Sequence, residues 1–404
     1  LAFPAIMNPD TSIYLHIPFC KHRCAYCDFN TYAGQEDSIP AYVNALIQEI
    51  NFVGRCAGPT RVHTVFFGGG TPSLLSAPQF DSILKALSKA FTFTTDAEIS
   101  IEANPGTVSP QKLTAIRAAG INRISFGVQS ANTEELHMLE REHDFFDVIE
   151  AVTSARKVGF DNLNLDLIYG LPEQTLSTWQ TTVKRIIELH PEHISAYALT
   201  LEHGTPFGKW SSKGLLPLPD PDLAAEMYEW ACEFLDEHGY HHYEISNWAR
   251  PGKECRHNVQ YWRSLPYLAF GAGAHGYASG YRYSNVLRIK TYIERLSHPS
   301  SSIQQTFPLS PATVNQHKQT LKHDMSEYML NNLRLVDAGA AESDFRLRFG
   351  SGLLDIYPKE IDELIQNGLL EWHKKTSEVL DTSKVLRLTE RGRLLGNQVF
   401  MKFV

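Results

Sequence analysis

Three cysteines, Cys20, Cys24 and Cys27, crowd into the run Cys20-Lys21-His22-Arg23-Cys24-Ala25-Tyr26-Cys27, directly after a segment ending His16-Ile17-Pro18-Phe19. Three thiolates do not close the four-ligand shell of a structural zinc ion, so zinc would have to recruit a further partner such as His22. They suit a four-iron four-sulfur (4Fe-4S) cubane better, because closely spaced cysteines wrap such clusters. Held by three thiolates, the cubane keeps one iron open, and that iron can chelate the amino and carboxylate groups of an amino acid. Cys56, Cys232 and Cys255 are scattered, and the clustering of the first three reads as metal binding rather than a disulfide scaffold.

Other polar groups recur at the ends of apolar segments. Gly68-Gly69-Gly70-Thr71-Pro72 contains glycines that let the backbone approach a bound group, although an ordinary tight turn has the same composition. Glu102, Gln129 and Asp166 each close an apolar, β-branched segment; a carboxylate there can be a ligand or a helix cap. A second constellation is Cys255-Arg256-His257-Asn258-Val259-Gln260-Tyr261-Trp262. Imidazole can bind haem iron axially, and Tyr261 and Trp262 offer flat surface for a porphyrin. The same histidine can equally be a hydrogen-bonded structural residue.

The elements that must carry these groups are legible as alternation. Six short segments predict strands: Ser12 to Ile17, Val62 to Phe67, Glu98 to Ala103, Arg123 to Val128, Asn162 to Leu167 and His193 to Ala198. Between them, stretches such as Ala77 to Phe91, Pro110 to Ala119 and Phe145 to Val158 carry apolar residues at helical spacing. Successive βα units predict a parallel α/β sheet, open or barrel-like, with ligands at the carboxyl ends of its strands. The polar groups named above fall at those ends.

After Leu296 the composition shifts to Ser297, Pro299, Ser300, Ser301 and Ser302, which predicts a linker and divides the chain into residues 1–296 and 297–404. In the tail, Ile361 to Asn367 reads as a helix stopped by Gly368. Leu369 to Trp372 and Val385 to Leu388 read as a strand pair, which suggests a winged-helix shape or a plain packing appendage.

With 404 residues, 43% hydrophobic and 20% charged, the composition is that of a globular protein and excludes disorder and fibrous repeats. A net charge of −8 argues against broad capture of nucleic acid or anionic lipid. No apolar run reaches the roughly 18 to 20 residues of a membrane span. The opening Leu1 to Asp10 lacks a signal-peptide pattern, and residues before Met7 read as a remnant or the tail of a longer start. The cytoplasm is the expected address; peripheral membrane contact stays open.

Cys-x-x-x-Cys-x-x-Cys after a first strand resembles the signature of the radical SAM superfamily. The resemblance implies a partial (β/α)6 barrel whose cluster binds S-adenosylmethionine (SAM). It also implies that Gly69, Gly70, Thr71, Glu102, Gln129, Arg141, Asp166 and Ala198 contact SAM, and that Tyr14 and Tyr26 flank the cluster. With Tyr169-Gly170-Leu171-Pro172 and the tail Leu388-Thr389-Glu390-Arg391-Gly392, nearly the whole chain resembles the oxygen-independent coproporphyrinogen III oxidase family. Within it, His-Asn-x-x-Tyr-Trp at His257 to Trp262 looks like the mark of a haem chaperone branch. Phe29 stands where the oxidase carries an additional cysteine.

Haem as cargo, a haem-acceptor protein and an electron donor are therefore the expected partners. Whether the chain is an enzyme stays open, the oxidase being the alternative. Two residues depart from the family: Glu140 before Arg141, and Glu173 after Pro172, both where glycine is usual, which puts those loop conformations in question.

Overall fold

Each predicted strand alternates apolar and polar residues, and the computed structural model shows both sets in use. It describes residues 10–298, 306–374 and 384–404. The opening residues up to 9, and Pro299, Ser300, Ser301 and Ser302 of the expected linker, lie outside the described residues.

Six parallel strands follow in sequence order: β1 (Thr11–Ile17), β2 (Arg61–Gly69), β3 (Thr92–Ala103), β4 (Arg123–Gln129), β5 (Leu163–Tyr169) and β6 (His193–Ala198). Helices Ile39–Gly54, Ala77–Ala90, Pro110–Ala118, Phe145–Lys157 and Leu176–Ile187 join them. Local chemistry starts these helices where the chain must turn. Gln79 accepts from the Ser76 N–H at 2.7 Å, and Asp144 accepts from the N–H groups of Phe146 and Asp147 at 2.8 and 3.0 Å.

Because side chains alternate across a strand, Ile13, Leu15, Phe67, Ile101, Phe126, Leu165 and Ile194 share one buried core with the helices. The intervening set includes Tyr14, Phe66, Glu102, Arg123, Ser125, Asn164, Asp166 and Ser195. It lines a polar chamber on the other face. The fold is thus a partial barrel with a hydrophobic jacket and a polar lumen.

The sheet runs further than the six expected strands. Tyr267–Phe270 pairs parallel with β1, and a meander of His275–Ala278, Tyr281–Asn285 and Thr313–Lys318 extends that side. A hairpin, His241–Glu244 with Asn247–Ala249, extends the β6 side. Among the described residues the sheet has twelve strands and does not close on itself. Thr313–Lys318 returns to this sheet after residue 296, and a second apolar cluster begins with Met325.

That second unit runs helix Leu321–Asn332, strand Ala340–Ala341, helices Glu342–Phe349, Leu353–Ile356 and Pro358–Gln366, then strands Leu370–Lys374 and Lys384–Leu388, the order of a winged helix. Gly368, at φ 68, stops its third long helix as expected. The unit is pinned to several parts of the sheet, including the meander, where Arg282 pairs with Glu327. The Ile245 N–H donates to Arg334 O at 3.1 Å, and the Val336 N–H to Tyr243 O at 3.1 Å, on the hairpin side. Ser264 donates to Glu327 O at 3.2 Å, and Arg348 to Arg263 O at 2.8 Å, ahead of Tyr267–Phe270. No helix among the described residues is long and apolar enough to cross a membrane.

Candidate functional site

The cluster loop hangs from the carboxyl end of β1. The Cys27 N–H donates to Cys24 O at 3.1 Å, which folds two of the three thiols into one turn. Phe19–Cys20 pairs with Tyr32–Ala33 and closes the loop at its base. Each sulfur has a polar neighbour: Thr71 Oγ1 at 3.7 Å from Cys20, Arg141 Nη1 at 3.5 Å from Cys24, and Thr31 Oγ1 at 3.9 Å from Cys27. Burial pushes the Cys20 and Cys27 thiols up. Metal loading must therefore release protons, since only thiolates ligate iron.

His22, the alternative zinc partner, directs Nε2 to Glu140 at 3.2 Å. Among the described residues no three His, Cys, Asp or Glu side chains gather in a single-ion site.

Cys20, Cys24 and Cys27 share one cavity of 480 Å³ with nine of the ten residues expected around SAM: Tyr26, Gly69, Gly70, Thr71, Glu102, Gln129, Arg141, Asp166 and Ala198. That volume lies within the roughly 300 to 1,000 Å³ of pockets that enclose small ligands. The residues come from the ends of different strands, so the convergence is a product of the fold. Gly70 is required sterically, since a Cβ there would lie 2.6 Å from Phe19 O. The glycine run is thus a close approach between β2 and the cluster loop, not a free turn. The Gly69 N–H donates to Glu102 Oε2 at 2.9 Å. Burial, helped by Asp166, pushes the Glu102 carboxyl up to about 8. Arg141 also donates to Gly127 O at 2.7 Å and to Asn104 Oδ1, which aims its guanidinium at Cys24.

Tyr14 is the exception. Its hydroxyl bonds His16 Nδ1 at 2.9 Å, and its ring lines the polar lumen chamber of 210 Å³ rather than the thiol cavity. Tyr14 faces the lumen three residues before the end of β1, deeper in the barrel than the strand-end residues around the thiols.

His257 and Tyr261 line the same chamber, but not as an open axial ligand and a free aromatic face. His257 is 1% exposed and stacks on Phe66 with ring centroids 5.2 Å apart. Its Nδ1 lies 2.8 Å from Thr64 Oγ1, and its Nε2 lies 2.8 Å from the Tyr261 hydroxyl. Both nitrogens are engaged inside the fold. Trp262 leaves the chamber altogether: its ring carries the Arg334 guanidinium at 4.9 Å, and Arg334 also lies 4.9 Å from the Phe400 ring. In this structure His257 and Tyr261 line the lumen, and Trp262 packs against the tail unit.

Asn104, Tyr197 and Arg123 also line these cavities and were not anticipated. Their signal was available as polar residues at alternate positions of otherwise apolar segments: Arg123-x-Ser125, Glu102-x-Asn104 and Ser195-x-Tyr197.

The two departures from family glycine have a backbone meaning. Glu140 and Glu173 adopt φ of 53° and 61°, the left-handed region that costs an L-residue roughly 1 to 2 kcal/mol. The loops thus keep the turn glycine would favour. Glu140→Gly and Glu173→Gly should each raise the urea midpoint by about 0.5 to 1 kcal/mol of stability, after the entropy glycine adds to the unfolded chain. The exposed His22–Glu140 pair subtracts little from this. A loss of stability in both variants would show that the left-handed turns carry no strain.

Residues 14–186 match the Radical SAM superfamily. The chain is 38% identical over 395 residues to the haem chaperone HemW of Bacillus subtilis (strain 168), covering 97% of this chain and 99% of that one. It is 34% identical over 398 residues to the haem chaperone HemW of Escherichia coli (strain K12), covering 98% of each. Among solved structures, coproporphyrinogen III oxidase (HemN) from Escherichia coli superposes with a TM-score of 0.80 at 26% identity, over 98% of this chain and 90% of that one. With the cluster loop and strand-end cavity in place, identities of 38% and 34% over almost the full length leave one assignment: the chain belongs to the radical SAM superfamily and, within it, to the haem chaperone HemW family.

Proposed function

We propose that this chain is a haem chaperone. In this reading it carries a 4Fe-4S cluster on Cys20, Cys24 and Cys27, binds SAM beside it, accepts haem, and hands haem to an acceptor protein. The observation that carries the cofactor part is the single 480 Å³ cavity shared by the three thiols and nine predicted SAM residues. When bound, the reduced cluster supplies an electron to the sulfonium of SAM. The chain's own residues do the rest: Arg141 sets a positive charge against Cys24, Glu102 fixes the Gly69 backbone, and the Tyr26 ring packs on Phe207 across 6.4 Å, which narrows the access of water.

The oxidase reading shares fold and cofactor. Against it, Phe29 is 64% exposed at the position where that family carries its additional cysteine, so the loop offers an apolar face and no further thiol. Anaerobically reconstituted protein should bind haem stoichiometrically and release it to an apo-haem protein. With SAM, reductant and coproporphyrinogen III it should form no protoporphyrinogen. Steady product formation would overturn the chaperone reading in favour of the oxidase.

A further inference from the structure

Arg123 opens β4 and points into the lumen chamber; the residue is 2% exposed. Its Nε has no hydrogen-bond partner, and its guanidinium makes no ion pair among the described residues. The carboxylates near enough to favour its charge are Glu98, Asp166 and Glu102, and each accepts hydrogen bonds from other groups, Glu102 from the Gly69 N–H at 2.9 Å. Asp166 accepts from Ser125 and Asn164, each at 2.7 Å. Glu98 accepts from the backbone N–H groups of Arg256 and His257 at 3.3 and 3.4 Å, and from the Cys255 thiol at 3.7 Å.

The guanidinium is taken out of water, which is costly, and the charges around it keep it protonated while its Nε is bonded to none of them. The chamber it faces holds 210 Å³, below the roughly 300 Å³ at which pockets begin to enclose whole ligands. It therefore suits an arm of a ligand rather than its body. Glu102, Asp166 and Tyr197 line both this chamber and the cluster cavity, so the two spaces meet at these residues, and Tyr197 is 44% exposed.

We propose that the lumen chamber is a carboxylate pocket, in which Arg123 receives a short alkyl carboxylate arm of the cargo while the cargo's flat body stays outside. Guanidinium and carboxylate match as a planar, two-bond pair. The neighbouring acids do not repel such an arm strongly, because burial pushes both Glu102 and Asp166 up, towards their neutral forms. The assignment rests on the haem-handling reading, since haem carries propionate arms of this kind.

Two measurements on reconstituted, full-length protein test it. The first compares protohaem with its dimethyl ester, in the wild type and in Arg123→Met, with SAM affinity followed in parallel. The wild type should prefer the free acid by at least about tenfold; Arg123→Met should lose that preference and keep its SAM affinity. Equal affinity of the wild type for acid and ester overturns the pocket, as does a variant that keeps the preference or loses SAM binding instead. The second records thermal shifts with propionate alone, which should stabilise the wild type and not Arg123→Met. If neither porphyrin binds but propionate still stabilises the wild type alone, the pocket stands and the haem reading falls. If propionate has no effect and the ester binds as well as the acid, the pocket is refuted even where haem transfer persists.

Discussion

A Cys24→Ala chain, supplied with iron and sulfide without oxygen, is expected to retain almost no cluster and to lose SAM affinity by at least about 100-fold, or roughly 2.7 kcal/mol. Cys24 is only partly buried, so removing its sulfur leaves the core intact and tests ligation rather than folding. Its sulfur is the one that Arg141 approaches at 3.5 Å, so the substitution also leaves that guanidinium without its thiolate, a second cost beyond the lost iron bond. Two remaining thiolates cannot hold a cubane against exchange, and an open iron exists only where three grip the other corners. Cys232→Ser is the matched control: Cys232 lies near His242, with Sγ 3.8 Å from Nδ1, and is remote in sequence from the loop. It should assemble cluster normally. Full iron content and SAM binding in Cys24→Ala, or uptake of zinc alone by the wild type, would end the cluster assignment.

Much of this site could be read before any coordinates, and the reason is spacing. Cys20, Cys24 and Cys27 lie so close in sequence that no fold can separate them, and Gly69, Glu102, Gln129 and Asp166 each end an apolar run, which in parallel sheets is where ligands gather. The six strands were legible because β-branched segments alternate with helical spacing. What sequence could not give was direction. Tyr14 lies on the cluster strand but three residues before its end, so it lines the lumen and not the thiol cavity. His257 and Trp262 share a helical turn, Arg256–Trp262, yet point to different partners, the lumen and the tail unit. The strands beyond β6 are short, polar or glycine-interrupted, and pair through contacts distant in sequence, so nothing local announces them. The same holds for Thr313–Lys318, whose six residues are nearly all exposed. It belongs to none of the predicted elements, and only its pairing with Tyr281–Asn285 makes it a strand.

His257→Ala carries the other large expectation, a loss of about 4 kcal/mol in stability at pH 7.5. Truncating a large buried side chain costs roughly 3 to 5 kcal/mol, and here the Tyr261 hydroxyl is also left without its acceptor. The hydrogen-bond order fixes the tautomer: Thr64 donates its hydroxyl to Ser12 Oγ at 2.6 Å, so it accepts from His257 Nδ1–H. Nε2 then accepts from Tyr261. That lone pair is the one an axial ligand would need, so coordination of haem by this imidazole requires Tyr261 to let go.

Protonation requires the same release, and burial accordingly lowers the imidazole to about 3 from its ordinary 6.5. A folded value below the unfolded one means that the stability His257 contributes is fully present above pH 6.5 and drains away as pH falls towards 3. The rate is about 1.4 kcal/mol per pH unit. The gap between wild type and His257→Ala, read from urea midpoints, should therefore shrink to about 1 to 1.5 kcal/mol at pH 4.5. Comparing the two chains cancels the buried acids Glu102 and Glu244, which titrate in the opposite sense. A gap that stays constant between the two pH values would mean that the imidazole is free to charge, and so free to bind iron. A gap that closes marks His257 as the pin that holds Tyr261 and the lumen wall in place.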